Sequence, residues 1–489
     1  MKNVKNFNSL KVFEYLKSLK SKGIYLYMEE GILKYKAKNN ALSKEILNDI
    51  KSNKEDITKF LMLAKDNYVD LSSLQLAYMA GQSKTQVLNK VNAHYYIEYS
   101  KENIDVSKLE NALNILIREN DALRMIILSS GHGLIIDEMP RYRIQTYNLV
   151  NGTDRLSTRE NLSRKRYFYD SWPMFTIVVG KSDKFEDIFH FSFDCSILDA
   201  WCAGKMVNNL FKIYSGQKPK QTEYTYKDYT YDLKGYKEKN KKIIQKAEQY
   251  WENRILAISD SPELKYNKSF NELQTTTFSR QEFSFEKGVV KALEKYSKLH
   301  KVTLTSIVMT IYMMILSNIS SRKNISINIT VFGKLPLNKN VDEILGEFTN
   351  NGLIEYKDEN DDFVEVVKST QKQIFKLLEF RAYDGVNILN KAKISSLGKQ
   401  RYFPIVMTCM IGENYNSVIN GFKEEYSLSQ TPQVALDHHV RIIDGTMKIT
   451  FDYIEELFNK NQIQELIYAY KEKIDSISKG NMGGSKDNE

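Results

Sequence analysis

Apolar residues repeat at helical spacing over residues 8–21, and two alternating segments follow them. Gly23 ends the helical pattern, and the segments IYLYM and ILKYK flank a short turn, EEG, as the strands of a β-hairpin do. Ser43 and Asn53 are each placed to cap a further short helix. Residues 1–64 therefore predict a small αββαα unit.

From residue 70 onward, helical patterns alternate with strand-like runs, which predicts a long α/β (α+β) region. The glycine-containing residues 479–489 are predicted to form a tail or linker. Helical patterns cover residues 108–120, 200–214, 286–300, 303–318, 363–380 and 460–476, and strand-like runs cover residues 94–99, 174–179, 188–193, 325–331, 404–408 and 446–453.

Composition narrows the class of protein. The chain has 489 residues and a net charge of +9, but its densest basic run, residues 234–246, contains Glu238 and no arginine, so we interpret it as a solvated helix face and not as a nucleic-acid site. The most apolar run, residues 304–316, is too short to span a bilayer, and the N-terminus lacks the apolar core of a signal peptide. Three cysteines suit a reducing compartment. We expect a soluble, cytoplasmic protein that binds neither nucleic acid nor membrane.

The segment FDCSILDAWC, residues 193–202, places two carboxylates five residues apart after an aromatic strand. Asp199 precedes a helical pattern at the N-cap position, so we favour capping over catalysis for it. Asp194 ends the strand, and two roles stay open for it: a site residue or the partner of a buried arginine.

FDCSILDAWC resembles the Asp-x-x-x-x-Asp-x-x-Ser motif of heterocyclization domains, the condensation domains of nonribosomal peptide synthetases that form thiazoline and oxazoline rings. The resemblance covers nearly all of residues 70–478, because further family signatures follow in the expected order. They are LSSLQLAYMAGQS (71–83), WPMF (172–175), Tyr250-Trp251 to Arg254, KLPLN followed by GEFT (334–349), PIVMTCMIG (404–412) and SQTPQVALDHH (429–439).

The chain departs from the family pattern at three positions, with Cys202 in place of serine, Glu347 in place of aspartate and Gly333 in place of asparagine. The resemblance implies that Asp194 and Asp199 are chiefly structural. It also places Cys195 where other condensation domains have the second histidine of His-His-x-x-x-Asp-Gly, and a neutral thiol is a poor base.

A similar run, HHVRIIDG at residues 438–445, has one residue too many between its histidine and its aspartate and lies too near the C-terminus. We interpret it as a coincidence.

Thr408 and Asp437 match the family's catalytic threonine and aspartate. The resemblance implies that Asp437 is the general acid/base of cyclodehydration and that Thr408 orients it or relays a proton. From the residues alone, Thr408 could satisfy only backbone groups and Asp437 could pair with Arg441. Gln430 and Gln433 are expected to add hydrogen bonds nearby.

Residues 1–64 resemble the tubulysin-type N-terminal docking domain, which implies that they hold the C-terminal tail of an upstream synthetase subunit. Such tails are often acidic, and the second strand carries three lysines. The alternative is that these residues only solubilise and pack a small domain. The residues expected to form the groove are Tyr25, Tyr27, Tyr35, Lys34 and Lys36, with Lys38 beside them.

The resemblance implies two chloramphenicol-acetyltransferase-like lobes in a V-shaped pseudo-dimer, residues 70–260 and 261–478, joined to the docking domain by a linker at residues 65–69. A tunnel between the lobes would admit phosphopantetheine arms of upstream and downstream carrier proteins. We expect no metal or cofactor bound by the domain itself. Two alternatives remain: a condensation-only enzyme that makes a linear amide, and a non-catalytic docking module.

Overall fold

The computed structural model describes residues 8–39, 41–81, 91–274, 276–359, 362–393 and 400–479. The end of the LSSLQLAYMAGQS motif and residues 480–489 of the predicted tail lie outside this part of the chain. The described residues form a small N-terminal unit followed by two lobes, each built on a six-stranded sheet.

The N-terminal unit has the predicted αββαα order. Ser43 caps its second helix by accepting the N–H of Ile46 at 3.2 Å. Asn53 lies at the start of the third helix but does not cap it, because its side chain instead donates to the carbonyl of Asp49 at 2.9 Å. The elements are α1 (Ser9–Ser21), β1 (Ile24–Glu29), β2 (Ile32–Ala37), α2 (Lys44–Ser52) and α3 (Lys54–Asp66).

The first lobe packs helices on a mostly antiparallel sheet and carries a smaller three-stranded sheet at its side. Phe189, Phe191 and Phe193 all point into its core from one face of the central strand, as their alternation predicts. Its elements are β3 (Tyr68–Asp70), α4 (Ser73–Gly81), β4 (His94–Lys101), α5 (Val106–Glu119), β5 (Met125–Ile127), β6 (His132–Ile135), β7 (Gln145–Asn148), α6 (Gly152–Ser163), β8 (Phe175–Lys181), β9 (Asp187–Asp194), α7 (Ala200–Tyr214), α8 (Tyr226–Lys239) and α9 (Lys241–Ile255).

The second lobe has a mixed sheet in the order β10-β17-β16-β13-β11-β12, in which β13 runs parallel to both of its neighbours. The apolar helix α11 is buried against this sheet. The elements are β10 (Phe278–Phe285), α10 (Lys287–His300), α11 (Leu304–Ile319), β11 (Ile325–Phe332), β12 (Thr349–Tyr356), α12 (Phe363–Glu379), α13 (Gly385–Ala392), β13 (Ile405–Tyr415), β14 (Val418–Ile419), β15 (Phe422–Gln430), β16 (Leu436–Ile443), β17 (Thr446–Ile454) and α14 (Lys460–Ser478).

Strand β15 crosses from the second lobe to the first. It pairs antiparallel with β4, so the first lobe's sheet has the order β14-β15-β4-β9-β8-β7. The two lobes are therefore not separated by a single cut in the sequence, because β14 and β15 belong by sequence to residues 261–478 and by hydrogen bonding to the other lobe. The crossing brings the end of β15 beside β16.

The N-terminal unit shares a hydrophobic core with the first lobe. Ile57 and Phe60 of α3 belong to the same buried cluster as Ile126 and Ile136 of the lobe. Because this shared core is apolar, the unit is held against the lobe by burial and not only by the chain connection.

Among the described residues, no single helix is long and apolar enough to cross a membrane. Helices α10 and α11 meet the length and composition criteria only as a pair, and they are bent by 102° at the break between them.

Removing one partner of the buried ion pair at the meeting of the lobes should destabilise the protein. Arg280 on β10 binds both carboxylate oxygens of Asp452 at 2.6 and 2.5 Å, and both side chains are almost fully buried. We expect Arg280→Met to lower the free energy of unfolding by about 3–5 kcal/mol in urea denaturation, since it leaves a buried charge without its partner.

The exposed pair of Lys376 and Glu379 provides the control. Lys376→Met should change the free energy of unfolding by less than about 1 kcal/mol. Equal effects of the two variants would contradict the interpretation of the Arg280 pair.

Candidate active site

A cavity of about 560 Å³ lies between the two lobes. Helix α4, the segment after β9 and the start of α7 line it from the first lobe, and β11, β13 and β16 line it from the second. Clefts between lobes are a common place for ligands to bind. Thr408 and Asp437 both lie on its wall.

Thr408 and Asp437 lie on neighbouring parallel strands, β13 and β16. Val406 is the register partner of Asp437, and Thr408 is two residues further along, so the two polar side chains project from the same face of the sheet. The hydroxyl of Thr408 donates to the hydroxyl of Thr330 on β11 at 2.9 Å. The Thr408 hydroxyl therefore bonds to a side chain that faces the cavity and not to a backbone group.

The two oxygens of the Asp437 carboxylate have different surroundings. Oδ2 accepts the hydroxyl of Ser429 at 3.2 Å and lies 3.0 Å from Nε2 of His439. Oδ1 is buried and has no hydrogen-bond partner among the described residues. The alternative of a pair with Arg441 is wrong, because Arg441 binds Glu424 at 2.7 Å. One oxygen of Asp437 is thus held by the protein, and the other is left for a ligand.

Asp199 has the capping role predicted for it. Its carboxylate accepts the N–H of Cys202 at 2.6 Å, which caps α7, and the N–H of Phe348 at 3.1 Å. The second contact reaches the loop between β11 and β12, so Asp199 also joins the two lobes. Burial raises the pKa of this carboxyl, while the two N–H groups and Lys334 oppose the rise.

Asp194 is buried at the end of β9 and does not line the cavity. Its Oδ1 accepts the N–H of Ser196 at 2.9 Å and the Ser196 hydroxyl. No arginine is among its contacts in the described part of the chain. Burial raises the pKa of Asp194 to about 6, with hydrogen bonds from Ser196 opposing the rise.

The two cysteines of the motif have different positions. Cys195 lines the cavity, but burial and nearby carboxylates raise the pKa of its thiol well above the ordinary value. It therefore stays protonated and cannot act as a base near neutral pH. Cys202 is fully buried, with its sulfur 3.8 Å from the carbonyl of Ile344 and 3.9 Å from Nζ of Lys334.

Glu347 contributes a second buried carboxyl to the cavity wall. Its Oε1 accepts the N–H of Thr349 at 2.7 Å, and burial together with the charge of Asp199 raises its pKa well above the ordinary value.

The side chains of the two glutamines in the SQTPQVALDHH segment lie in different places. Gln433 lies in the turn between β15 and β16 and lines the cavity. Gln430 does not line it, because its amide donates to the backbone carbonyl of Ser163 in the first lobe. Its contact connects the lobes instead of reaching toward Asp437.

His439 and Glu347 are cavity residues to which the sequence pattern assigned no function. His439 belongs to the run HHVRIIDG, whose spacing differs from the His-His-x-x-x-Asp-Gly motif. Strand β16 nevertheless places the His439 side chain on the same side of the sheet as Asp437. The signal that could have found it is its position two residues after a site aspartate on a strand. The described residues contain no cluster of three or more His, Cys, Asp or Glu placed to hold a metal ion.

The N-terminal hairpin divides the predicted groove residues between its two faces. Tyr25 pairs with Lys36 and Tyr27 with Lys34 across the strands, so these four share one face, and Nζ of Lys36 lies 5.5 Å from the Tyr27 ring. Tyr35 pairs with Leu26 and lies on the opposite face. The expected groove therefore has two tyrosines and two lysines on its surface, without Tyr35.

Comparison with known families finds two matches that together span most of the chain. The condensation-domain model matches residues 66–483, and the TubC N-terminal docking-domain model matches residues 12–62.

Relatives and solved structures agree with these matches. Bacitracin synthase 1 of Bacillus licheniformis is 26% identical over 82% of this chain, and pyochelin synthetase PchF of Pseudomonas aeruginosa is 23% identical over 93%. The chain spans only 8% and 26% of those two proteins. The EpoB NRPS cyclization-docking bidomain from Sorangium cellulosum superposes with a TM-score of 0.78, at 21% identity, over 95% of this chain and 98% of that one. This likeness confirms the predicted fold of a docking unit followed by two lobes.

The titration of Asp194 generates a pH-dependent prediction. Since burial raises its pKa from 3.8 to about 6, the stability that the protonated carboxyl contributes is complete below about pH 4 and is lost as the pH rises to about 6. Asp194→Asn removes this titration. The free energy of unfolding of the natural protein, minus that of the variant, should fall by about 2 kcal/mol between pH 4 and 7.

Urea denaturation at several pH values measures that difference, and any pH-independent effect of the substitution cancels from its slope. A difference for Asp194→Asn that does not change with pH would contradict the assignment.

Proposed function

The chain belongs to the condensation-domain family, and from that premise we propose that it is a heterocyclization domain of a nonribosomal peptide synthetase. Condensation domains form peptide bonds between groups that carrier proteins hold on phosphopantetheine arms. We propose that this one joins a carrier-bound acyl group to a carrier-bound cysteine, serine or threonine, then closes and dehydrates the ring to a thiazoline or oxazoline.

The observation that carries the proposal is the state of Asp437. Its carboxyl lies on the wall of the cavity between the lobes, is 5% exposed, and has one oxygen held by Ser429 while the other has no partner in the described chain. An unpartnered buried oxygen costs free energy unless a ligand satisfies it. A polar ligand group in this cavity would do so.

The chemistry of ring formation needs such a group. The amine of the acceptor first attacks the thioester, so a C–N bond forms and the thiol of the donor arm leaves. The acceptor's own thiol or hydroxyl then attacks the new amide carbon, and the carbonyl oxygen becomes a hydroxyl. The carboxyl of Asp437 gives its proton to that hydroxyl, which departs as water, and the N–H proton returns to the carboxylate as the C=N bond forms.

The first of these steps needs less from the protein. Aminolysis of a thioester proceeds once both reactants are held together, so orientation within the cavity can supply much of the rate. This suits a site in which Cys195, with its raised pKa, stands at the position of the family's histidine. Thr408 lies on the strand beside Asp437, where its hydroxyl can orient the reacting oxygen.

The supporting likenesses point the same way. The bidomain from Sorangium cellulosum is named for cyclization and docking, and this chain carries the Asp-x-x-x-x-Asp segment of heterocyclization domains with both aspartates in structural roles.

We also propose that the N-terminal unit receives the C-terminal tail of an upstream synthetase subunit. Tyr25, Tyr27, Lys34 and Lys36 lie on one face of a two-stranded sheet, where Lys34 also pairs with Glu29, and Tyr25 is 46% exposed. An acidic tail would find complementary charge there and an open sheet edge to which a strand can add. The shared core with the first lobe holds this face in a set position relative to the cavity.

Asp437→Asn tests the ring chemistry. The amide cannot supply the proton, so we expect heterocycle formation to fall by about a hundredfold or more while the linear amide still accumulates. The measurement is mass spectrometry of carrier-bound products, since the heterocycle is lighter than the amide by one further water.

Asp444→Asn, in the exposed turn after β16, is the control and should cyclise normally. Undiminished heterocycle from Asp437→Asn would refute its role. A natural protein that yields only linear amide would instead support the condensation-only alternative.

Charge reversal tests docking. The double variant Lys34→Glu and Lys36→Glu should weaken binding of a peptide copied from the upstream subunit's C-terminal tail by roughly tenfold, and the loss should shrink at high salt. Titration of a fluorescent peptide measures the affinity.

The control double variant, Lys51→Glu and Lys54→Glu, changes two exposed lysines outside the hairpin and should bind as the natural protein does. Equal losses in both double variants would show a net-charge effect and contradict the assigned face.

A further inference from the structure

Two carboxylates face each other across β16, which lines the cavity, and the neighbouring strand β17. Asp437 on β16 is the direct register partner of Asp452 on β17. Like charges opposite each other in an antiparallel pair destabilise the sheet unless other groups compensate them. Both residues are buried, so water does little to screen the repulsion.

The protein compensates Asp452 completely. Arg280 binds both of its oxygens, and the backbone N–H of Ser429 donates to Oδ2 at 2.9 Å. Asp452 is therefore committed to structure and has no oxygen to offer to the cavity.

His439 is placed to compensate Asp437. Its Nε2 lies 3.0 Å from Oδ2 of Asp437 and 3.6 Å from Oδ2 of Asp452, within ion-pair distance of both carboxylates, although it forms no hydrogen bond among the described residues. The imidazole is also on the cavity wall and mostly buried. The other charged side chains nearby are already paired, Arg280 with Asp452 and Arg441 with Glu424.

We propose that His439 is a positioning residue for Asp437. The close contact of its Nε2 with Oδ2, together with the hydroxyl of Ser429, holds that oxygen and leaves Oδ1 to the substrate. The assignment rests on the proposed ring chemistry and adds to it a residue that acts through Asp437. It also predicts that any side chain with a donor at this place can substitute.

Amide formation precedes ring closure, so the ratio of heterocycle to linear amide reports on ring closure separately from amide formation. His439→Leu removes the polar contact with Oδ2 and should lower the ratio of heterocycle to amide roughly tenfold, the size of effect expected when a charged group loses one polar partner, while amide formation continues. His439→Gln keeps an N–H of similar reach and should retain a ratio close to that of the natural protein. Ser429→Ala removes the hydroxyl that donates to Oδ2 and should also lower the ratio.

Thr450→Val is the matched control. Thr450 is the cross-strand partner of His439, is buried, and its hydroxyl has no recorded partner in the described chain, so its loss should leave the ratio unchanged. The substrates are a donor carrier protein loaded with acetyl or benzoyl and an acceptor carrier protein loaded with cysteine. Mass spectrometry of the bound products gives the ratio.

The outcomes separate the two proposals. A normal ratio in His439→Leu overturns the positioning role, and so does an equal loss in His439→Leu and His439→Gln. If His439→Leu fails to form amide, it is not correctly folded, and the comparison of His439→Gln and Ser429→Ala with Thr450→Val decides. Linear amide alone from the natural protein would reject the proposed ring chemistry itself.

Discussion

The pairing of β15 with β4 is the contact on which the rest of the site depends. A strand from the second lobe completes the sheet of the first, so the lobes share backbone hydrogen bonds and cannot separate without breaking them. Near its end the same strand carries Ser429, whose hydroxyl donates to Asp437 and whose N–H donates to Asp452. The crossing therefore does two things at once: it closes the cavity between the lobes, and it delivers a donor to the carboxylate that we propose as the acid.

The buried carboxylates around the cavity differ in how completely their oxygens are hydrogen-bonded or paired. Asp199 and Asp452 are bound by N–H groups or by arginine and stabilise the junction of the lobes, and Asp194 bonds within its own turn. On the cavity wall, Asp437 combines an oxygen held by Ser429 with a buried oxygen that has no partner among the described residues. Charge that is fully paired stabilises structure, whereas a partly satisfied group in a cavity can exchange a proton with a ligand.

Prediction from sequence succeeded where local chemistry decides. The helix at Ala200–Tyr214, its cap at Asp199 and the inward phenylalanines of β9 followed from periodicity alone. The cap expected at Asn53 is missing, because its amide reached back to Asp49 one turn earlier. Strands β15 and β16, which carry the site, were not predicted from their pattern, since β16 is buried on both faces and shows no clear alternation.

By itself, the sequence determined the order of elements, the resemblance to a family and the residue types available for chemistry, because these depend on neighbours along the chain. The tertiary structure decided which side chains meet. It paired Arg441 with Glu424 instead of Asp437, turned Gln430 to the opposite lobe, separated Tyr35 from the other groove tyrosines, and brought His439 beside Asp437. Strand register and the crossing of β15 set these contacts, and both are long-range pairings that no local pattern encodes.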